Sequence, residues 1–419
     1  MQREFEVLVW GATGFTGRLV AEHLAKYYGD NRPLRWAVGG RNQAKVERLS
    51  EELDAPSGRI PFVIGDSHDR ASLDEIVRRT SVVCSTVGPY ARHGSELVAA
   101  CVEHGTHYCD ISGEVQWMRE MIDRHEAAAR QSGARIVHCC GFDSIPSDLG
   151  CFFLQQYVQA EHDAVCRHVQ LRVREMRGAF SGGTVASLLH VLDECRRDPR
   201  VRRIVEDPYA LNPAGMREGP DGPDCPAVRW DHDLHAWTAP FVMAPINTRV
   251  VRRTNALLNY PYGRDFRYDE AVLKQGGPIG WASAKSLSTG LKLFLAAATA
   301  RPTRAILRKW VLPSPGQGPS AAQRENGFFR IQLVGKTDPD APGHWSAFVS
   351  GESDPGYGTT AGMLAECAVC LAQDADQVSV AGGFWTPASC FGMTLVPRLE
   401  ARAGMRFTVQ PDLSAGGPS

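Results

Sequence analysis

The chain has 419 residues, with 46 basic against 47 acidic side chains and a formal net charge of −1. That balance argues against nucleic acid or an acidic membrane surface as the main partner. The length predicts two or three domains and a core large enough to need no disulfide or metal staple.

In the first 150 residues strand and helix patterns alternate. Phe5–Trp10 reads as an apolar strand and Arg18–Tyr28 as a helix. Leu34–Gly39 and Phe62–Gly65 read as strands, followed by helices over Asn42–Leu53 and Arg70–Thr80. Ser81–Val87 is a strand, and Ser95–His104 a helix that Gly105 stops. Thr106–Ile111 is a strand, Val115–Gln131 a long helix ended by Gly133, and Ala134–Cys140 the last strand of the series. This rhythm predicts parallel strands joined by right-handed helical crossovers. The fold expected for residues 1–145 is α/β: a Rossmann-type, doubly wound parallel sheet of about six strands.

The rhythm breaks after Gly150. Residues 146–355 read as a second, mixed α+β substrate domain, and 356–419 as a C-terminal segment expected to pack back on the first. Arg167–Arg174 alternates like a half-exposed strand, and Val185–Cys195 reads as a helix. Asp207–Pro226, rich in Pro, Gly and Asp, reads as a long surface loop, and Ala239–Arg253 carries alternating strand character. Ser283–Val311 is helical, with an interruption near Arg301 and Pro302, and Leu312–Ser320 is an irregular connector. Phe328–Lys336 and His344–Ser350 read as two antiparallel strands, Gly358–Gln373 as a helix. Leu293–Ala300, the longest lipid-like stretch, is too short to span a bilayer.

Met1–Glu6 is polar and leads straight into a strand, so neither a signal nor a transit peptide is expected. The twelve cysteines are scattered and read as reduced core thiols of a cytoplasmic protein. Cys367 and Cys370 have Cys-x-x-Cys spacing but lie in a helical pattern, with no second pair or histidine cluster, so no metal is expected.

The stretch Val7–Leu24, "VLVWGATGFTGRLVAEHL", carries the first chemistry. Gly11, Gly14 and Gly17 fall at Gly-x-x-Gly-x-x-Gly spacing between a strand and a helix. The first glycine lets the chain turn, the second admits a pyrophosphate to the backbone, and the third brings helix and sheet together. Thr13, Phe15 and Thr16 complete the loop, whose helix N-terminus offers free N–H groups to the phosphates. After the second strand an NAD site usually places a carboxylate. Here "VGGRNQAK" puts Arg41 there and Lys45 one turn on, which suits a 2′-phosphate and favours NADP over NAD. Asp66, after the third strand, can touch the adenine amine or cap the following helix, with Ser67 a rival for that cap. Thr86, Val87, Gly88 and Pro89 end the fourth strand, beside the expected nicotinamide ribose. No tyrosine has a lysine four residues later, so the proton relay of the short-chain reductases is absent in its usual form.

"GATGFTG", "STVGPYARHG", "YCDISGE" and "GFDSIPSDLG" occur in that order, followed by "SGGT", "LPSPGQGPS" and "GGFWTPAS". Together they resemble the saccharopine dehydrogenase-like oxidoreductases over almost the whole chain, most closely the branch that contains the trans-acting enoyl reductases. The resemblance implies a Rossmann domain followed by a mixed domain, with the reaction in the cleft between them. Asp110, Ser112, Gly113 and Glu114 would follow the fifth strand, and Gly141, Phe142, Asp143 and Ser144 the sixth. Asp110 and Asp143 can position the nicotinamide or stitch their loops, and Asp143 also resembles a helix N-cap.

The expected reaction is hydride transfer from NADPH, which asks the protein for orientation and for donors toward developing charge. Tyr90, His93, Ser112 and Thr184 are the candidate donors. The Ala-, Leu- and Phe-rich Ser283–Ala300, broken by Lys285 and Lys292, favours an acyl or lipid-like substrate or peripheral contact with a membrane or carrier. A homodimer is compatible with this reading. The alternatives are an amino-acid-forming imine dehydrogenase and a non-catalytic dinucleotide-binding protein at lipid surfaces.

Overall fold

The computed structural model describes residues 3–29, 34–53, 59–178, 182–224, 227–299, 303, 318–338, 345–378 and 380–411. In chain order the strands are β1 Phe5–Trp10, β2 Trp36–Gly40, β3 Phe62–Ile64, β4 Thr80–Ser85, β5 His107–Asp110, β6 Arg135–Val137, β7 His168–Arg177, β8 Arg229–Asp231, β9 Ala236–Pro240, β10 Arg267–Lys274, β11 Phe328–Lys336, β12 Trp345–Gly351, β13 Gly383–Trp385 and β14 Met405–Pro411. The helices are α1 Phe15–Tyr28, α2 Gln43–Glu52, α3 Arg70–Arg78, α4 Tyr90–His93, α5 Ser95–Glu103, α6 Val115–Ser132, α7 Ile145–His162, α8 Gly182–Arg197, α9 Pro199–Glu206, α10 Ala244–Leu257, α11 Gly277–Thr299, α12 Ala321–Glu325, α13 Thr360–Gln373, α14 Pro387–Phe391 and α15 Leu395–Arg402.

The first sheet runs β13-β6-β5-β4-β1-β2-β3, and every pair in it is parallel. Val7, Leu8 and Val9 of β1 are all fully buried, as expected of a strand covered on both faces. The order of β1 to β6 is that of a doubly wound dinucleotide-binding sheet. β13 adds a seventh strand from the far end of the chain, which a local sequence pattern cannot reveal. α13 lies on the same sheet, against β1, β4 and β5, and its residues 360–371 are buried all round. Its one carboxylate, Glu366, accepts from Tyr28 Oη at 2.6 Å and bonds His23 at 2.9 Å, with Arg398 and Arg402 at 3.5 and 3.7 Å. A charge buried that deeply is tolerated because it is surrounded by donors.

The second sheet runs β14-β12-β11-β7-β10-β9-β8, with only β7 and β10 parallel. α7 links the sheets, packing on β11, β12 and β14.

Two readings of the second half are corrected. Ala239–Arg253 is not a strand: it ends β9, turns, and becomes α10. Its arginines mimic an exposed face but are buried as stitches. Arg249 bonds Asp224 at 2.5 Å, Arg252 bonds Asp221 at 2.7 Å, and Arg253 donates to the Phe384 carbonyl at 2.7 Å. Asp207–Pro226 is accordingly more than a surface loop: Leu211 within it is fully buried, and Asp221 and Asp224 are those arginines' partners. Ser283–Val311 is helical through Thr299 as part of α11, while the interruption near Arg301 and Pro302 lies outside the described residues, as does most of Leu312–Ser320. The described cysteines are free thiols, all buried except the half-buried Cys195. Among the described residues no group of side chains forms a metal site, and no helix is long and apolar enough to cross a membrane.

Candidate active site

The turns after β1, β4, β5 and β6 meet in one crevice at the carboxyl edge of the first sheet. Gly11 has φ of +86°, which a side chain resists, and its amide donates to Gly39 O at 3.0 Å. A Cβ at Gly11 would stand 2.5 Å from Val87 Cγ2, and one at Gly17 only 2.3 Å from Gly11 O and 2.7 Å from Thr86 Oγ1. Gly14, the N-cap of α1, is exposed and makes no side-chain cap. The amides of Phe15, Thr16 and Gly17 are therefore the orphan donors of the helix start, facing a cradle that side chains would fill. Thr13 is exposed beside them. Thr86 does not reach outward: its Oγ1 donates to Trp10 O at 3.1 Å, tying β4 to the turn.

At the adenosine end, Gly39 is fixed by packing, since a Cβ there would lie 2.9 Å from Trp10 Cε3. No carboxylate can stand in its place. Arg41 and Lys45 are exposed, and Arg41 has no hydrogen-bond or ion-pair partner among the described residues. A free guanidinium at this position fits a 2′-phosphate. Asp66 is also exposed, and its Oδ1 accepts from His68 N at 2.9 Å. Neither Asp66 nor Ser67 caps α3; Asp69 does, accepting from Ala71 N.

Two proposed proton donors are withdrawn. The Tyr90 hydroxyl is buried and donates to Ser85 O at 3.1 Å, while burial pushes its pKa well up. His93 bonds His68 through Nδ1 at 3.1 Å. Burial, His68, Arg92 and Arg41 lower its pKa. Asp110 is also withdrawn as a cofactor ligand, because it is fully buried and stitches β5 to β6. It accepts from Tyr108 Oη at 3.0 Å, His138 Nδ1 at 2.8 Å, and the amides of Ser112 and Cys139 at 3.0 and 3.4 Å. Phe142 likewise turns to the second domain: its amide donates to Thr360 Oγ1 at 3.0 Å and its ring packs edge-on against Phe329. Ser144, not Asp143, is the N-cap residue of α7.

A residue given no site role before closes the crevice. Glu114 accepts from the Tyr90 amide at 2.8 Å, the Ala91 amide at 3.0 Å, and Ser187 Oγ of α8 at 2.7 Å. Burial raises its pKa, opposed by those same donors. Gly88 sits under α8, with Ser187 Oγ 3.8 Å from where a Cβ would stand. Thr184 lies exposed in the first turn of α8, so Ser187, one turn on, is the residue that meets the Rossmann turns. Glu114 stood in the quoted "ISGE", but nothing in the sequence pairs it with Ser187. On the opposite side Phe15 stacks edge-on with Tyr357 at 4.8 Å, and Arg324 lies over its ring. The later part of the chain thus meets the turns after β4 and β5 through Ser187 and the start of α1 through Tyr357 and Arg324.

Sheet order, glycine cradle, unpaired arginine and bridging second domain define a two-domain, dinucleotide-dependent oxidoreductase. Residues 7–137 match the family model described as the saccharopine dehydrogenase NADP binding domain. The chain is 41% identical over 417 residues to a Mycobacterium tuberculosis protein provisionally named a trans-acting enoyl reductase, covering 95% of this chain and 96% of the relative. It is 37% identical over 413 residues to the trans-acting enoyl reductase of Mycobacterium ulcerans, at 95% and 96% coverage. The saccharopine dehydrogenase (L-Glu forming) of Saccharomyces cerevisiae shares the fold, with a TM-score of 0.51, 13% identity, and coverage of 96% and 99%. The chain belongs to the saccharopine dehydrogenase-like oxidoreductases, and NADP is the cofactor of its first domain.

Proposed function

We propose that this protein is an NADPH-dependent reductase of α,β-unsaturated acyl groups, working in trans on a chain carried by another molecule. The observation that carries the reading is the end-to-end identity with relatives named for that activity, across both domains and not the cofactor domain alone. NADPH supplies a hydride when bound. The chain's own part is to seat the diphosphate on the amides of residues 15–17, hold the 2′-phosphate with Arg41, and cover the crevice with α8. Water exclusion there strengthens any donor acting on the acyl oxygen.

The acyl character of the substrate is supported by α11, which packs on β9 and α8. Only Gly280, Ala284, Ser288 and Ala298 of this helix are buried, while Ile279 is 81% and Leu293 66% exposed. Trp281 joins Trp230 and Trp237 around a shallow apolar hollow near its start. With Lys285 and Lys292 beside it, this face suits contact with an acyl chain or a lipid surface in the cytoplasm.

The test is NADPH absorbance on mixing the purified protein with crotonyl and dodecenoyl thioesters, with product mass by spectrometry. Saturated acyl product supports the proposal. Turnover confined to an amino-acid imine, or none with any of these, overturns it.

A further inference from the structure

Reduction of a conjugated acyl group leaves its α carbon needing a proton. Tyr90 and His93 are withdrawn, and Ser112 is buried with its Oγ accepting from the Glu114 amide at 3.3 Å. A hydroxyl such as that of Thr184 is a far weaker acid than a carboxyl. The following inference rests on the enoyl-reductase reading.

Asp143 stands between the turns that end β5 and β6. Its Oδ1 lies 3.8 Å from where a Cβ of Gly113 would be, and its Oδ2 lies 3.1 Å from the same point at Gly141. Gly113 is exposed and Asp143 itself half-buried. Asp110, in the neighbouring turn, accepts from four donors. Asp143 receives no hydrogen bond from any other described residue; its own amide is its only donor. The groups that face it are Asp110 from β5, Cys139 after β6 and Tyr90 from α4, and none of them is a cation. From α13 comes only the Thr360 methyl group, at Gly141. A buried carboxyl without donors, next to a second carboxyl, holds its proton more tightly. Burial and the Asp110 charge push Asp143 up to about 7. A carboxyl short of donors, beside one that has four, is placed to serve as an acid.

We propose that Asp143 is the proton donor of the reduction. Hydride from NADPH forms the C–H bond at the β carbon as the π pair moves toward the acyl oxygen. The Asp143 O–H bond then breaks, its proton goes to the α carbon, and its electron pair stays on the carboxylate. Water at the open edge restores the proton.

The experiment compares wild type with Asp143→Asn and Asp143→Glu, using crotonyl thioester and NADPH. Asp143→Asn should lower kcat by about 100-fold or more, the span of a lost general acid. NADPH affinity should stay within about threefold, under 1 kcal/mol. The wild-type rate should fall as pH rises through neutrality, and that limb should vanish in Asp143→Asn. In D2O the wild type should place deuterium on one face of the α carbon, and the variant on both. Carboxyl 13C titration without substrate should show one aspartate changing near neutrality that Asp143→Asn removes. Asp143→Glu should recover part of the rate. An active wild type with an Asp143→Asn of equal rate and unaltered pH limb overturns this inference alone. A wild type that binds NADPH but reduces no enoyl thioester overturns the enoyl-reductase reading, and this inference with it.

Discussion

Gly17→Ala and Gly14→Ala separate what the glycine turn does for the fold from what it does for the cofactor. At Gly17 the new methyl would lie 2.3 Å from Gly11 O, 2.7 Å from Thr86 Oγ1 and 2.8 Å from Ala12 Cα. Two of these are backbone atoms in a packed turn, so the start of α1 must retreat by roughly 1 Å to reach ordinary contact. Overpacking of this kind costs about 1–3 kcal/mol of stability. The retreat also stretches the phosphate bonds from residues 15–17. Losing two charge-assisted bonds at about 1.5–3 kcal/mol each weakens NADPH binding by two orders of magnitude or more. At Gly14 the methyl meets only Gly11 O, at 3.2 Å, and otherwise points to open space, where the cradle reading would seat the diphosphate. Gly14→Ala should therefore melt within a few degrees of wild type yet lose NADPH affinity, whereas Gly17→Ala should lose both. Calorimetric NADPH titration alongside thermal melts reads the difference. A folded Gly17→Ala that binds NADPH as tightly as wild type refutes the cradle.

Arg41→Ala should weaken NADPH by about 10- to 100-fold and leave NADH nearly unchanged, because only the 2′-phosphate meets that guanidinium; paired titrations with both coenzymes check it. Glu114→Ala strands the buried amides of Tyr90 and Ala91 and releases Ser187. At about 1–3 kcal/mol per orphaned donor, it should cost several kcal/mol in denaturant melts, and Glu114→Gln, which keeps one acceptor, should cost less. Asp148 and Glu270 are both pushed up to about 7 by burial. A carboxyl raised in the fold stays protonated where the unfolded chain is ionised, so its stabilising effect is present at low pH and lost on the way to 7. The melting temperature should fall between pH 5 and 7, and Asp148→Asn should flatten that slope; a slope unchanged by the substitution rules this cause out.

The first 145 residues declared themselves because their elements are local: β1 hands directly to α1, and the three glycines mark the handover. Arg41 stands exposed after β2, as the chain order places it. What failed were roles that depend on which way a side chain turns. Tyr90 and His93 sit in the right segment, yet one ends against the Ser85 carbonyl and the other against His68. The strand reading of Ala239–Arg253 failed likewise, since the arginines of α10 turn inward as buried anchors.

Sequence alone was enough for the parallel α/β sheet and for NADP as the cofactor, through short-range periodicity and the residues that follow β2. Tertiary structure alone decided that β13 completes the first sheet, that Glu114 ties α8 to the Rossmann turns, and that Asp143 lacks the donors that surround Asp110. Those facts depend on desolvation and on contacts between residues tens to hundreds of positions apart. Such forces exist only once the chain has closed on itself.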